Sequence, residues 1–275
     1  MPTKIEWCDE TWNPVTGCAP ISEGCANCYA RKMATRLRGR FGYPQDKPFQ
    51  VTFHEDKLDQ PLRWKKPRRI FVCSMGDLFA APLDMIDLVM RTIRSCQHHT
   101  FLILTKRAKA MKDYFLVAAA LPDNCWLGVT VENQRTADER IPALLSITEA
   151  MRFVSCEPLL SSIEISRYLR MRCARCKGLI DPTPGEIYDG KRCRCSAIKT
   201  IGLSWVICGG ETGANARRME IAWAEDLRDQ CRIAGVGFFY KGAGTRNVTK
   251  KNVNYRLLDG QEWTEFPRGE KNGRA

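Results

Sequence analysis

Apolar residues fall in short continuous runs at 50–53, 69–74, 100–104, 125–131, 151–155, 204–208 and 236–239. Continuous rather than alternating runs are what strands buried on both faces require. Between them, 84–98, 107–120, 134–147 and 220–234 carry helical spacing. In the first of these, Met85, Ile86, Val89, Met90 and Ile93 mark one face. A basic helix is predicted over 28–40, ended by Gly39 and Gly42. Strands alternating with helices imply βα units and a parallel sheet. With a further strand near 11–16, the pattern predicts an α/β fold, a full or partial parallel β/α barrel. A doubly wound open sheet is the alternative.

The rhythm breaks at 166–200, where two pairs of cysteines flank turns with Pro and Gly. The expected organisation is a first part of the barrel over 1–165, with an N-terminal cluster loop. A small zinc-ribbon-like insertion follows at 166–200, then the last part of the barrel at 201–245. A polar C-terminal tail fills 246–275, with Trp263 and Phe266 as anchors and a mobile end. Each predicted strand runs out into polar residues: Glu55, Asp77, Lys106 and Arg107, Glu132 and Asn133, Glu157, Glu211, Lys241. In barrels the active site gathers at those carboxyl ends.

The chain has 275 residues, 44% hydrophobic, and a net charge of +12. That length can bury a large core, and that charge favours a polyanionic partner, most simply nucleic acid. The run Arg63-Trp64-Lys65-Lys66-Pro67-Arg68-Arg69 sets an aromatic among cations, as surfaces for phosphates and bases do. The helix at 31–40 and the arginine-rich insertion add two more basic patches. No apolar run is long enough for a transmembrane helix, and the N-terminus lacks an apolar signal core. A cytoplasmic location and reduced thiols are therefore expected.

In that setting the 14 cysteines point to metal rather than disulfides. Seven are scattered (Cys8, Cys73, Cys96, Cys125, Cys156, Cys208, Cys231) and read as small buried hydrophobes. Cys173, Cys176, Cys193 and Cys195 form C-x2-C and C-x-C knuckles separated by 16 residues, a spacing for tetrahedral structural zinc, with free cysteines or a second iron–sulfur cluster as the alternatives. Cys18, Cys25 and Cys28 stand at C-x6-C-x2-C with no fourth ligand at ligand spacing. They fit an iron–sulfur cluster with one iron open, or zinc completed by water or a distant histidine.

Ile5-Glu6-Trp7, Thr11 to Cys18 and Gly24 to Ala30 resemble the phage-associated three-cysteine-motif family, found in phages and prophages and regarded as radical-SAM-like. The likeness continues through Phe153 to Leu160, Trp205 to Gly213, Leu227 to Cys231 and Gly237 to Lys241. It implies a 4Fe–4S cluster on Cys18, Cys25 and Cys28, S-adenosylmethionine on the open iron, an external electron donor, and location in the host cytoplasm if phage-encoded. The wider superfamily usually spaces its cysteines C-x3-C-x2-C, so this loop is longer. Gly209-Gly210-Glu211 resembles its methionyl-amine motif but lies on a late strand.

Strand-end position makes Lys106 and Arg107 candidates for the S-adenosylmethionine carboxylate. It makes Glu132, Asn133 and Glu157 acceptors for ribose or amine, with Gly209, Gly210 and Glu211 lining the site. Arg63, Lys65, Lys66, Arg68 and Arg69 are the nucleic-acid candidates. The reading is a radical S-adenosylmethionine-type enzyme that modifies or repairs a nucleic acid or nucleotide. The alternatives are a non-catalytic, metal-stabilised nucleic-acid-binding protein and a zinc hydrolase. The hydrolase lacks an H-x-E or H-E-x-x-H motif.

Overall fold

The computed structural model describes residues 3, 5–117, 121–147, 150–169, 172–173, 200–245 and 256–267. Two compact units divide the chain, Met1–Val129 and Thr130–Ala275. The first contains β1 (Glu10–Trp12), β2 (Val15–Thr16), α1 (Tyr29–Leu37), β3 (Thr52–Phe53), β4 (Arg69–Val72), α2 (Leu83–Ser95), β5 (Thr100–Thr105), α3 (Ala108–Val117) and β6 (Cys125–Thr130). The second contains α4 (Gln134–Leu145), β7 (Met151–Cys156), α5 (Ser166–Leu169), β8 (Arg172–Cys173) and β9 (Thr200–Ile201). β10 (Trp205–Gly209), α6 (Ile221–Ala234), β11 (Gly237–Gly242), β12 (Leu257–Leu258) and β13 (Gln261–Glu262) complete it.

Seven strands make one parallel sheet in the order β1-β4-β5-β6-β7-β10-β11. The order follows the chain without reversal. That is the winding of a β/α barrel, and it lacks the switch point of a doubly wound sheet. The fold is thus α/β with partial parallel-barrel winding. One expected strand is corrected. Residues 50–53 contribute only β3, which pairs antiparallel with β2 and stays outside the main sheet. Glu55 accordingly does not end a sheet strand. The seventh strand is instead β1, in register with β4 through Glu10 and Ile70.

The first unit is packed around its strands. Trp12 is fully buried, packs edge-on against Phe101, and donates its indole N–H to the Lys57 carbonyl at 2.7 Å. Trp7 lies against Phe71. The seven scattered cysteines are all buried, as expected. Burial pushes the Cys73 thiol up to about 12 and that of Cys125 well above its usual range, so both fill core space as neutral thiols. His99 is also buried, and its Nε2 donates to the Pro61 carbonyl at 3.1 Å. Its other ring nitrogen, an acceptor in this tautomer, meets no donor.

In the second unit, α4 opens with a capping box between Asn133 and Thr136. Arg140 on that helix donates to Glu132 at 2.9 Å and to the Thr130 carbonyl at 2.7 Å, with Glu132 fully buried. Gln230 on α6 hydrogen-bonds the backbone of both Ile163 and Ile165, and Gly235, in the left-handed region, ends that helix. β8 and β9 pair antiparallel, joining the two ends of the cysteine-rich segment. The zinc-ribbon reading falls on residues outside those described; this covers Cys176 and Cys193, Cys195, and the side chain of Cys173. Trp263 and Phe266 do anchor the C-terminal stretch. The Trp263 carbonyl accepts from Tyr240 at 2.7 Å, and Phe266 stacks on Trp205.

Two stability predictions follow from these buried groups. Arg140→Met leaves the Glu132 carboxylate buried without its cation and should cost about 3–5 kcal/mol in urea unfolding. Adding Glu132→Gln should recover most of that loss; equal loss in both variants would contradict a charge-pair origin.

His99 has its pKa lowered, first by burial and further by the charges of His98 and Arg68. The unfolded chain takes up a proton near pH 6.5 that folded His99 resists. Stability should hold above that pH and fall as pH drops through it, with His54, also lowered by burial, acting the same way. Urea midpoints at pH 7.5 and 5.5 measure the drop, and His99→Gln should reduce it. A midpoint independent of pH over this window would refute the assignment.

Candidate metal centre

The Cys18–Cys28 loop leaves β2 at the carboxyl end of the first unit's strands. Gly17 bridges to Gly76, just past β4, and its N–H donates to the Met75 carbonyl at 2.9 Å. Gly17 has φ +79, and a Cβ there would fall 2.1 Å from the Gln50 carbonyl oxygen, so only glycine fits this crossing. The Asn13 side-chain oxygen accepts from the Ser74 hydroxyl and the Met75 N–H, at 3.1 and 3.0 Å. Cys18 N–H donates to Phe49 at 3.2 Å. The loop's start is therefore clamped from three sides.

Its middle is held by one ion pair. Asp77, nearly buried, accepts from Thr105 Oγ1 at 2.7 Å, Phe79 N–H at 3.1 Å and Lys106 N–H at 3.1 Å. Arg107 Nη1 donates to the same carboxylate at 3.2 Å, while its Nη2 reaches the Ala19 carbonyl at 2.7 Å. The far end is fixed by α1. Cys28 is its N-cap residue, Arg31 donates to the Cys25 carbonyl at 2.6 Å, and the Tyr29 hydroxyl donates to the Ser74 carbonyl.

Cys18 stands close enough to Cys25 and Cys28 to feel the charge of each. Burial, followed by the Asp77 carboxylate, pushes Cys18 up to about 11, with Cys28 and Cys25 adding to the rise and Arg107 opposing it. For Cys25, burial works upward, but backbone hydrogen bonds from Ile21 and Ser22, the Lys106 charge and the Ser22 hydroxyl outweigh it. The net shift is downward. A thiol site with cations beside it favours thiolate on binding metal. Among the described residues, no three His, Cys, Asp or Glu side chains gather tightly enough for a single ion.

Of the expected cofactor residues, Lys106 and Arg107 lie at this loop, and Arg107 has taken a structural part there. The others belong to the second unit. Glu132 pairs with Arg140, and Asn133 caps α4. Glu157 pairs with Lys241 at 2.7 Å and accepts from Ser155 at 3.1 Å. Gly209 packs against that pair, where a Cβ would stand 3.1 Å from Glu157 Oε1. Gly210 lies against the Ala243 carbonyl, and Glu211 holds Arg217, accepting its N–H at 2.8 Å and its Nε–H at 3.0 Å.

Of the nucleic-acid candidates, Lys65 and Lys66 are exposed. Arg63 pairs with Asp59, Arg68 with Glu10 and Arg69 with Asp9, Arg69 being buried in β4. Sequence reasoning missed Asn13, Ser74 and Arg31. The turn Asn13-Pro14 behind a strand was the available signal for the first.

The Arg107 strut yields a prediction. Arg107→Ala removes the guanidinium bond to the Ala19 carbonyl and takes the Arg107 cation from Asp77. In the metal-free chain, Cys18 and Cys28 should then react several-fold faster with a thiol reagent, read by mass mapping, at a stability cost of about 1–3 kcal/mol. Unchanged labelling rates would show that the strut does not hold the loop.

Neither a curated protein nor a solved structure matches the chain. One family does, over residues 2–267, which is nearly its whole length. The chain therefore belongs to the family described as Protein of unknown function (DUF5131).

Proposed function

We propose that Cys18, Cys25 and Cys28 hold a 4Fe–4S cluster and that the protein is a radical S-adenosylmethionine-type enzyme acting on a nucleic acid or nucleotide. The observation that carries this reading is the loop itself. Three thiols, with Cys18 within reach of the charges of the other two, lie on one segment clamped at Gly17, Ala19 and Cys25, at the carboxyl end of parallel strands. Their donor set fits the group. Around a single tetrahedral ion, thiolates stand within about 4 Å of one another, whereas a cube takes each on a different iron and tolerates a wider set. When bound, the cluster would leave one iron open to S-adenosylmethionine and supply the electron that cleaves its sulfonium to a 5′-deoxyadenosyl radical.

The chain's own residues do the rest. Lys106 and Arg107 place positive charge beside the thiolates, offsetting the negative charge gathered when three protons leave. We assign Lys106, whose charge acts on Cys25, to a ligand carboxylate; Arg107 is engaged by Asp77 and Ala19. Asp77 fixes Arg107. The buried Trp12 and the β4–β5 core behind the loop keep water from its rear. The net charge of +12 and exposed Lys65 and Lys66 support a polyanionic substrate. Zinc on Cys173, Cys176, Cys193 and Cys195 is part of the same proposal and rests on their spacing.

Anaerobic reconstitution should give about four irons per chain and a brown protein. Loss of Cys18, Cys25 or Cys28 singly should abolish the colour, while substitution of Cys173 should remove zinc and leave iron. Reduced, reconstituted protein should release 5′-deoxyadenosine from S-adenosylmethionine. A colourless protein with zinc at both cysteine sets would instead establish the metal-stabilised binding protein.

A further inference from the structure

The uncovered face of α1 carries Tyr29, Lys32, Met33 and Arg36, at i, i+3, i+4 and i+7. Ala30 and Ala34 fill the opposite, buried face, so the helix backbone lies close to the body. Tyr29 is 55% exposed and directly follows Cys28. At the other end the chain turns through Gly39 and Gly42, both left-handed. Between them Phe41 also has φ +53.

That conformation is disfavoured for a bulky side chain, and Phe41 gains no burial from it, being 73% exposed. The turn enforces it. Gly39 N–H donates to the Tyr43 carbonyl at 2.9 Å and Tyr43 N–H to Arg40 at 3.0 Å. The His54 ring lies where a Gly42 Cβ would be, 2.7 Å away. An aromatic ring held in water by a strained backbone is unexplained by packing.

Its surroundings indicate what covers it. Lys32, Arg36, Arg38 and Arg40 are exposed, and none is in an ion pair among the described residues. Arg38 and Arg40 donate to the Thr35 and Arg36 carbonyls, at 3.1 and 2.8 Å, which holds the guanidiniums at the end of α1 that leads into the Phe41 turn without neutralising them. Cations flanking a free aromatic face complement a phosphate backbone with an unpaired base. A membrane would need an apolar helix face, and here the helix midsection exposes only Met33 between cations.

We propose that the outer face of α1 and the Phe41 turn form a binding platform for single-stranded nucleic acid. An unpaired base stacks on Phe41, and phosphates lie along Arg40 and Arg36 toward Tyr29. α1 is about 13 Å long, so the path leads a strand from the turn to the edge of the cysteine loop. The inference rests on the reading that the substrate is a nucleic acid, and it adds where and in what form that substrate binds.

The test uses the full chain and a labelled mixed-sequence oligonucleotide, single-stranded and duplex, in fluorescence anisotropy across a salt series. Phe41→Gly suits the left-handed backbone, so its unfolding midpoint should equal or exceed the parent's. It should weaken single-strand binding about tenfold, leave duplex binding unchanged, and keep the salt slope. Phe41→Trp should retain affinity. Arg36→Gln should reduce the single-strand salt slope by about 0.7.

Single-strand affinity unchanged in Phe41→Gly would overturn the platform while leaving a nucleic-acid substrate intact. A parent chain that binds neither form would remove both. A Phe41→Gly variant that loses only anionic phosphatidylserine vesicles, and no oligonucleotide affinity, would reassign the surface to lipid and overturn the proposal.

Discussion

The buried carboxylate of Asp77 is the constraint on which the first unit's functional end depends. Removing such a group from water costs several kcal/mol unless its oxygens are satisfied. Here four donors satisfy them, from Thr105, Phe79, Lys106 and Arg107. Two of those donors are backbone amides at the ends of neighbouring segments, so the carboxylate sets how the chain leaves β4 and β5. The fourth donor is a guanidinium whose remaining nitrogen reaches the cysteine loop. The position of Ala19, and through it the span from Cys18 to Cys25, is thus coupled to an electrostatic requirement inside the fold.

The same carboxylate has a second consequence. It opposes ionisation of Cys18, which burial already disfavours, while Lys106 and the local amides favour ionisation of Cys25. Cys18 and Cys25 are thus shifted in opposite directions. A centre that binds thiolate must displace a proton more reluctantly at Cys18 than at Cys25, and Cys18 is the cysteine that directly follows the clamped Gly17. Geometric fixation there offsets chemical reluctance, because a ligand already in place loses little entropy on binding.

How much of this was legible follows from where burial leaves a pattern. Strands covered on both faces read as continuous apolar runs, and β4 to β7, β10 and β11 stand where those runs predict. β3 has the same composition, but two residues cannot show whether their partner is a parallel core strand or a ribbon. The polar residues after strands were visible as a class, yet their partners were not. Glu132 looks like Glu157 in sequence, but one faces an arginine from its own α4 and the other a lysine on β11. Pairing of that kind depends on residues 8 to 84 positions apart, and no local period encodes it. The turn Asp259-Gly260 between β12 and β13 was legible in principle, since both residues take positive φ as that dipeptide favours. A polar tail was the reading that obscured it.

Strain brackets the cysteine segment on both sides. Before it, Gly17 accepts a left-handed crossing that no side chain could share, and the return is a close backbone contact with Gly76. After it and α1, Phe41 accepts a left-handed conformation with a side chain for which glycine would be the easier choice. The two cases separate structural from functional strain. At Gly17 the residue type relieves the conformation, and packing explains the geometry completely. At Phe41 the residue type aggravates the conformation and leaves most of the ring in solvent. Stability alone would favour glycine there, so the presence of Phe41 points outside the folded chain, to what meets the ring.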